Sequence, residues 1–211
     1  ASNTISFNRF SSKWGADVSN IQNTSKALLT YGFESRKNNE WIIRTRVNFK
    51  KQYTLELTNK IGSVQLFTPL FLNRNYDIKT LSVEPKISYT YFTKYRLQLS
   101  YLYMQKENAI MYGGEKSISN SIIAEGKMNV VNNTSLLAKI SINNIQYTGT
   151  NNTTVSYIML DAFLPGKNYL WTIEFTKRLG NNLELNLNYE GRKPADARVI
   201  HIGRAGIRAL L

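Results

Sequence analysis

Apolar and polar residues alternate with a period of two along most of the chain. In residues 183–190, leucine and tyrosine occupy the odd positions, whereas glutamate and asparagine occupy the even ones. The same alternation occurs in residues 41–49, 53–58, 81–91, 95–103 and 171–176. Successive side chains of a β-strand point to opposite faces, and no stretch sustains the spacing of an amphipathic helix. The pattern therefore predicts an all-β chain whose strands have one apolar and one polar face.

Less regular segments and turn-forming residues complete the predicted meander. Further strands are predicted at residues 3–10, 13–20, 26–37, 117–130, 134–148, 154–164 and 197–211. Turn residues separate the strands at Gly113-Gly114, Asn132-Asn133, Asn151-Asn152, Pro165-Gly166, Gly180-Asn181 and Pro194. Repeats of about 14–18 residues predict about 10–14 antiparallel strands. Residues 60–78 fit either a loop holding Phe67, Phe71 and Tyr76 or one irregular strand.

The length of the segments favours a membrane barrel over a soluble β-domain. Strands of about 12–15 residues exceed the roughly 5–6 typical of soluble sheets and meet the roughly 9–11 that cross a bilayer. Mean hydropathy is only −0.33, as expected when every second residue meets lipid. We therefore predict an antiparallel up-and-down transmembrane β-barrel of the outer membrane. Its lipid-facing and girdle aromatics are predicted to be Trp41, Tyr53, Tyr95, Tyr101, Tyr147, Trp171 and Tyr189.

Charge is distributed unevenly between the strands and their ends. The chain has 27 basic and 14 acidic residues, a net charge of +13. Mid-strand charges of both signs on the polar face are predicted to line a wet lumen: Arg44, Arg46, Glu56, Glu84, Lys86, Arg96, Glu125, Lys127, Lys139, Glu174, Glu184, Glu190, Arg204 and Arg208. The surplus positive charge lies mostly at turns and strand ends, which predicts contact with anionic outer-membrane lipid and lipopolysaccharide. Aromatic and charged residues on opposite faces argue against nucleic-acid binding.

Few residues offer chemistry for a metal or a reaction. The chain has no cysteine and His201 is its only histidine, so thiolate and multi-histidine metal sites are excluded and no cofactor is predicted. His201 shares the apolar face, but residues 181–198 contain no serine that could pair with it. We therefore interpret His201 as an interfacial residue and not as a lipid-hydrolysing base. Glu174, Glu184 and Glu190 are predicted to make structural ion pairs and not an acid–base pair.

Several stretches of the later part of the chain resemble the ends of large, mostly uncharacterised outer-membrane proteins of the Bacteroidota type. They are residues 112–117, 152–161, 164–168, 188–194 and the ending from His201 to Leu211. The resemblance implies one barrel domain over residues 1–211, expected to be the C-terminal portion of a longer chain, with an assembly signal in the last strand. Leu211 departs from the aromatic ending usual in that group. No activity is implied.

Three functions are compatible with this pattern. The sequence predicts short turns at both rims and neither a long loop nor an inward plug. These features favour a non-enzymatic anchor or subunit that accompanies other proteins of the outer membrane. The second possibility is a small porin-like channel for polar solutes, which steady conductance in a bilayer would indicate. The third is a lipid-modifying enzyme, which unchanged lipid turnover in His201→Ala would exclude.

The orientation of the barrel gives a first testable prediction. If residues 197–211 form a closing strand that descends to the periplasm, the turn at Pro194 is extracellular, and Arg204 and Arg208 face Glu184 and Glu190 across the strand pair. Because that turn would lie outside the cell, a protease-cleavable tag inserted after Pro194 should be cut on intact cells. Cleavage only after the outer membrane is broken would invert the topology of every strand.

Overall fold

The computed structural model describes residues 1–8, 13–30, 32–130, 133–179 and 182–209, and these form one antiparallel up-and-down sheet. Each strand pairs with the strands next to it in the chain, which confirms the predicted fold class. Asn132, Gly180, Asn181 and Leu211 lie outside the described residues. The eleven strands seen in these ranges are β1 (Ser2–Phe7), β2 (Trp14–Leu29), β3 (Gly32–Phe49), β4 (Tyr53–Phe67), β5 (Tyr76–Tyr91), β6 (Tyr95–Asn108), β7 (Lys116–Val130), β8 (Thr134–Thr148), β9 (Gly166–Arg178), β10 (Leu183–Lys193) and β11 (Ile200–Ala209).

The first and last strands form the two edges of the sheet. Among the described residues, β1 pairs only with β2, and β11 pairs only with β10. The pairing of a closing strand with the start of the sheet, expected for residues 197–211, is therefore not present between these residues. Ten successive antiparallel pairings also make β1 and β11 run in the same direction.

The two rims of the sheet differ in the length of their connections. At the short-turn rim, residues 50–52 and 92–94 connect strands through turns in which Lys50, Lys51 and Phe92 adopt positive φ angles. At the opposite, long-loop rim, residues 68–75, 109–115, 149–165 and 194–199 connect strands, whereas the β2–β3 connection between Leu29 and Gly32 is short. The expectation of short turns at both rims is wrong. Outer-membrane barrels typically have short periplasmic turns and longer extracellular loops, so this asymmetry supports an extracellular Pro194.

The longest of these connections, residues 149–165, is called the β8–β9 loop here. It contains one helix, α1 (Thr154–Met159), so the strand predicted at residues 154–164 is wrong. Thr153 and Ser156 form a capping box: the Ser156 amide donates to the Thr153 hydroxyl at 3.0 Å, and the Thr153 amide donates to the Ser156 hydroxyl at 2.9 Å. Reciprocal caps of this kind stabilise a helix start that strand propensity alone would not predict.

Two other boundaries differ from the sequence pattern. The segment 26–37 does not form one strand, because β2 ends at Leu29 and β3 begins at Gly32. Residues 60–78 combine both alternatives, since β4 continues to Phe67 and a short loop with a 3₁₀ turn precedes β5 at Tyr76. The side chain of Asn75 closes this loop. Its Oδ1 accepts a hydrogen bond from the Thr68 amide at 2.7 Å, and its Nδ2 donates to the Thr68 carbonyl at 3.1 Å.

Most large apolar side chains of the sheet are exposed. Leu97 is 55% exposed and Ile122 is 51% exposed, although both lie in the middle of the sheet. The buried apolar side chains that form a cluster are Leu66, Tyr76, Ile78, Val155 and Met159, at the long-loop rim. A continuous apolar surface of this kind requires an apolar environment or a partner. No helix in the described part of the chain is long and apolar enough to cross a membrane.

Leu99 is a suitable position to test whether this apolar face meets lipid. It pairs with Ile87 on one side and Ala124 on the other, far from both rims. Leu185 is less suitable, because it pairs with Lys177 close to the short-turn rim. We expect Leu99→Lys to lower the free energy of unfolding by about 2–4 kcal/mol in lipid bilayers, the range found for a cation at the midplane of a barrel.

Denaturant titration in vesicles measures this change. Gln98→Lys, one position along on the polar face, is the matched control and should cost little, because Glu125 lies opposite it. Equal destabilisation by the two substitutions would refute the assignment of the faces.

Candidate functional site

The register of the strands places all fourteen predicted lumen charges on one face, called the polar face here. Arg46 pairs with Glu56 and Glu56 with Lys86, so the side chains of these three residues point to the same side. The same register continues through Arg96 and Lys127 to Glu174 and finally to Arg208. Six of the seven predicted girdle aromatics lie on the opposite, apolar face: Trp41, Tyr53, Tyr95, Tyr101, Trp171 and Tyr189.

Tyr147 is the exception, and its assignment to the girdle is wrong. It pairs with Ser117 and shares the face of Lys139, which lies eight residues before it on β8. Its ring packs at the border of the apolar cluster, and its hydroxyl donates to the Thr150 carbonyl at 3.3 Å. Tyr147 therefore supports the β8–β9 loop and does not contact the lipid interface.

Ion pairs join neighbouring strands across the polar face. Glu56 lies between Lys86, at 2.8 Å, and Arg44, at 3.7 Å. Lys60 lies 3.6 Å from Glu40, and the expected bridge between the last two strands is present as Arg208–Glu184 at 3.2 Å. Half-buried charges need such partners because desolvation otherwise penalises them. Opposite charges in register thus both stabilise strand pairs and keep the face polar.

The β8–β9 loop lies over the polar face of distant strands. Val155 and Met159 of α1 pack against Leu66, Tyr76 and Ile78. Leu66 and Ile78 belong to the polar face of β4 and β5, because Leu66 pairs with Tyr76 and Val64 with Ile78, in phase with Glu56 and Lys86. Strands lie about 4.8 Å apart, so four pairings separate β8 from β4 by roughly 19 Å along the sheet. The loop therefore crosses the polar face and is not an ordinary hairpin turn.

Lys106 on β6 fixes this loop to the sheet. Its ammonium donates to the Asp161 carboxylate at 2.6 Å and to the Ile158 carbonyl at 3.0 Å, and the residue is only 8% exposed. A nearly buried ammonium with a carboxylate and a carbonyl acceptor is well satisfied. At the other end of the loop, Asn168 donates to the carbonyls of Leu164 and Gly166 at 2.7 and 3.1 Å. Polar contacts thus hold the loop at both its middle and its end.

A cavity of about 270 Å³ lies on the polar face of β3 to β6. Charged and hydroxyl side chains contribute to its wall, among them Glu40, Thr58, Lys60, Ser82 and Glu84. The polar faces of β5 to β7 are also rich in small hydroxyl side chains, among them Ser82 of this cavity and, beyond it, Ser88, Ser100, Ser117, Ser119 and Ser121. Such a wall offers many hydrogen-bond partners and little steric obstruction. Grooves on the opposite face, by contrast, are lined by side chains such as Leu55, Leu57 and Ile87 and suit acyl chains.

His201 lies on the apolar face, as the strand phase predicts. Its Nδ1 atom is 2.9 Å from the Tyr189 hydroxyl, and its ring contacts the Trp171 ring edge-on at 6.0 Å between centroids. Gly191, which pairs with both His201 and Trp171, leaves the space that the indole ring occupies. The arrangement is an aromatic cluster on the apolar face in which the histidine is held by a tyrosine.

Comparison with known proteins defines the fold. No protein-family model matches the chain, and no curated protein matches it. The structure is similar to the outer membrane channel DcaP of Acinetobacter baumannii, with a TM-score of 0.65 and 12% identity over 99% of this chain and 61% of that one. The fold is that of an outer-membrane β-barrel. This chain spans only about 61% of the length of the DcaP chain.

Two further solved structures show weaker likenesses. The translocator domain of the autotransporter NalP from Neisseria meningitidis has a TM-score of 0.46 and 12% identity, over 95% of this chain and 77% of that one. The NanC porin has a TM-score of 0.46 and 8% identity, over 100% of this chain and 98% of that one.

The Lys106 contact gives a testable prediction about the loop. Lys106→Met keeps the unbranched shape and most of the length of the side chain but removes the hydrogen bonds to Asp161 and Ile158. We expect amide exchange in α1 to accelerate by at least roughly tenfold. One hydrogen bond to a charged group is worth about 1.5 kcal/mol at the lower end of its range, and about 1.4 kcal/mol corresponds to a factor of ten. Lys116→Met, which removes an exposed pair with Glu107, is the control and should leave α1 unchanged. Unaltered exchange in Lys106→Met would mean that the apolar cluster alone holds the loop.

Proposed function

We propose that the protein forms the wall of an outer-membrane channel for small polar solutes, with the polar face as its lumen and the β8–β9 loop as its constriction. The observation that carries this proposal is the packing of Val155 and Met159 on the polar face, which places a folded loop over a charged, hydroxyl-rich wall. The likeness to DcaP, described as an outer membrane channel, supports the same function at the level of the fold.

The physical requirements of such a channel agree with this wall. A polar solute enters a lumen only when groups on the wall replace part of its hydration, and it leaves only when no single site binds it too tightly. Ion pairs such as Glu56–Lys86 keep charges on the wall without leaving either sign free to trap a counter-ion. A loop that narrows the passage would then select by size.

The two other hypotheses are less well supported. The anchor hypothesis depended on short turns and on the lack of a plug, and the β8–β9 loop removes that argument. For a lipid-modifying enzyme, the hydrogen bond between His201 and Tyr189 provides a structural role for the histidine. Contacts with lipopolysaccharide and with other outer-membrane proteins stay predictions that the rim lysines motivate.

Channel recording on the protein purified from its outer membrane tests this function. We expect steady, ohmic conductance in planar bilayers, and a higher conductance when residues 151–163 are replaced by Gly-Gly-Ser, because the constriction is removed. The matched control is Ile110→Ser with Met111→Ser, two exposed positions at the same rim that should leave conductance unchanged. A correctly folded protein that never conducts would favour the anchor. Conductance that does not change without the loop would refute its role as constriction.

A further inference from the structure

The free edges of the sheet indicate how the barrel closes. The six residues of β1 are all exposed, and nine of the ten residues of β11 are exposed. The contact of β1 with β2 begins at Ala1 and Gln22, so beyond Gln22 the described residues pair with β2 only through β3. Residues of the apolar face on these edge strands are also highly exposed. Ile5 is 77% exposed and Ile207 is 69% exposed, compared with 43% for Leu55 inside the sheet.

Such edges are incompatible with a bilayer. In hydrocarbon each unpaired N–H or C=O costs several kcal/mol, so spanning sheets close completely. β1 and β11 run in the same direction, and pairing them with each other would give a parallel ladder. A second copy in the same membrane orientation presents the same two edges in the same direction, so it too would pair in parallel. An inverted copy would place its long loops at the wrong side of the membrane.

Only an odd number of intervening strands allows antiparallel pairing at both edges. We propose that β1 and β11 bind an odd number of further amphipathic strands of the same polypeptide, lying outside residues 1–211, which complete the barrel. DcaP supports a single-chain source, because the fold of nearly this whole chain matches only 61% of that chain. Each added strand carries apolar residues towards lipid beside Ile5 and Ile207, and polar ones beside Arg204.

Two measurements on the protein from its native outer membrane test the proposal. The first is the denatured mass with peptide mapping, which should be well above the 24.2 kDa of these residues in one polypeptide. The second uses thiol pairs, since residues 1–211 contain no cysteine. Thr4→Cys with Gly206→Cys marks the polar face of β1 and β11, and a Cβ at Gly206 meets nothing within 4 Å. This pair should not form a disulfide, because at least one strand separates the two positions.

The positive control is Thr4→Cys with Ser19→Cys, whose positions pair directly and whose hydroxyls lie 3.0 Å apart, so it should oxidise readily. A longer polypeptide without a disulfide between positions 4 and 206 supports the proposal. Formation of that disulfide overturns it at any mass, because β1 and β11 would then be neighbours. A mass of 24.2 kDa without the disulfide also overturns it, because the closing strands would come from another polypeptide. Neither readout depends on conductance, so failure of the channel function is distinguishable.

Discussion

The strands from β3 to β10 have most of their peptide groups bonded on both edges, a condition that an apolar solvent imposes and water does not. The antiparallel ladder meets it by aligning neighbouring strands over most of their length, as β3 and β4 do from Ser35 to Phe49. Once the ladder is fixed, the position of every side chain follows from its parity. The separation of the charged residues from the aromatic ones is therefore a consequence of backbone hydrogen bonding.

Alignment of the ladder also decides which charges meet. Glu56 faces Lys86 on one neighbouring strand and Arg46 on the other, and it makes its pairs with Lys86 and Arg44. A register shift of one residue would move Glu56 to the apolar face and Leu55 and Leu57 to the polar face. Charges in register thus specify the alignment of the strands as much as they stabilise it. The same pairs make the wall polar, so strand alignment and the proposed passage depend on the same residues.

The sequence predicted those properties of the fold that depend on local periodicity. Alternation located the central strands, and the phase of Glu184 and Arg208 predicted an ion pair that is present. It failed where the structure depends on contacts between distant segments. Residues 154–164 contain enough β-branched and aromatic residues to resemble a strand, and only the Thr153–Ser156 capping box signalled a helix. Lys106 was missed as a site residue because its partner, Asp161, is 55 residues away.

One irregularity in the alternation of the sequence does indicate where the β8–β9 loop packs. In residues 60–78 apolar side chains occur on both faces, since Val64, Leu66 and Ile78 stand in phase with Glu56 and Lys86. The polar face of a barrel wall faces water, so an apolar patch on that face requires another part of the protein to cover it. The cover is α1, which packs on Leu66 and Ile78 and buries them to 3% and 1% exposure. An apolar patch on the polar face of a strand therefore marks where a loop folds over the wall, and the alternation of the sequence alone is enough to reveal such a patch.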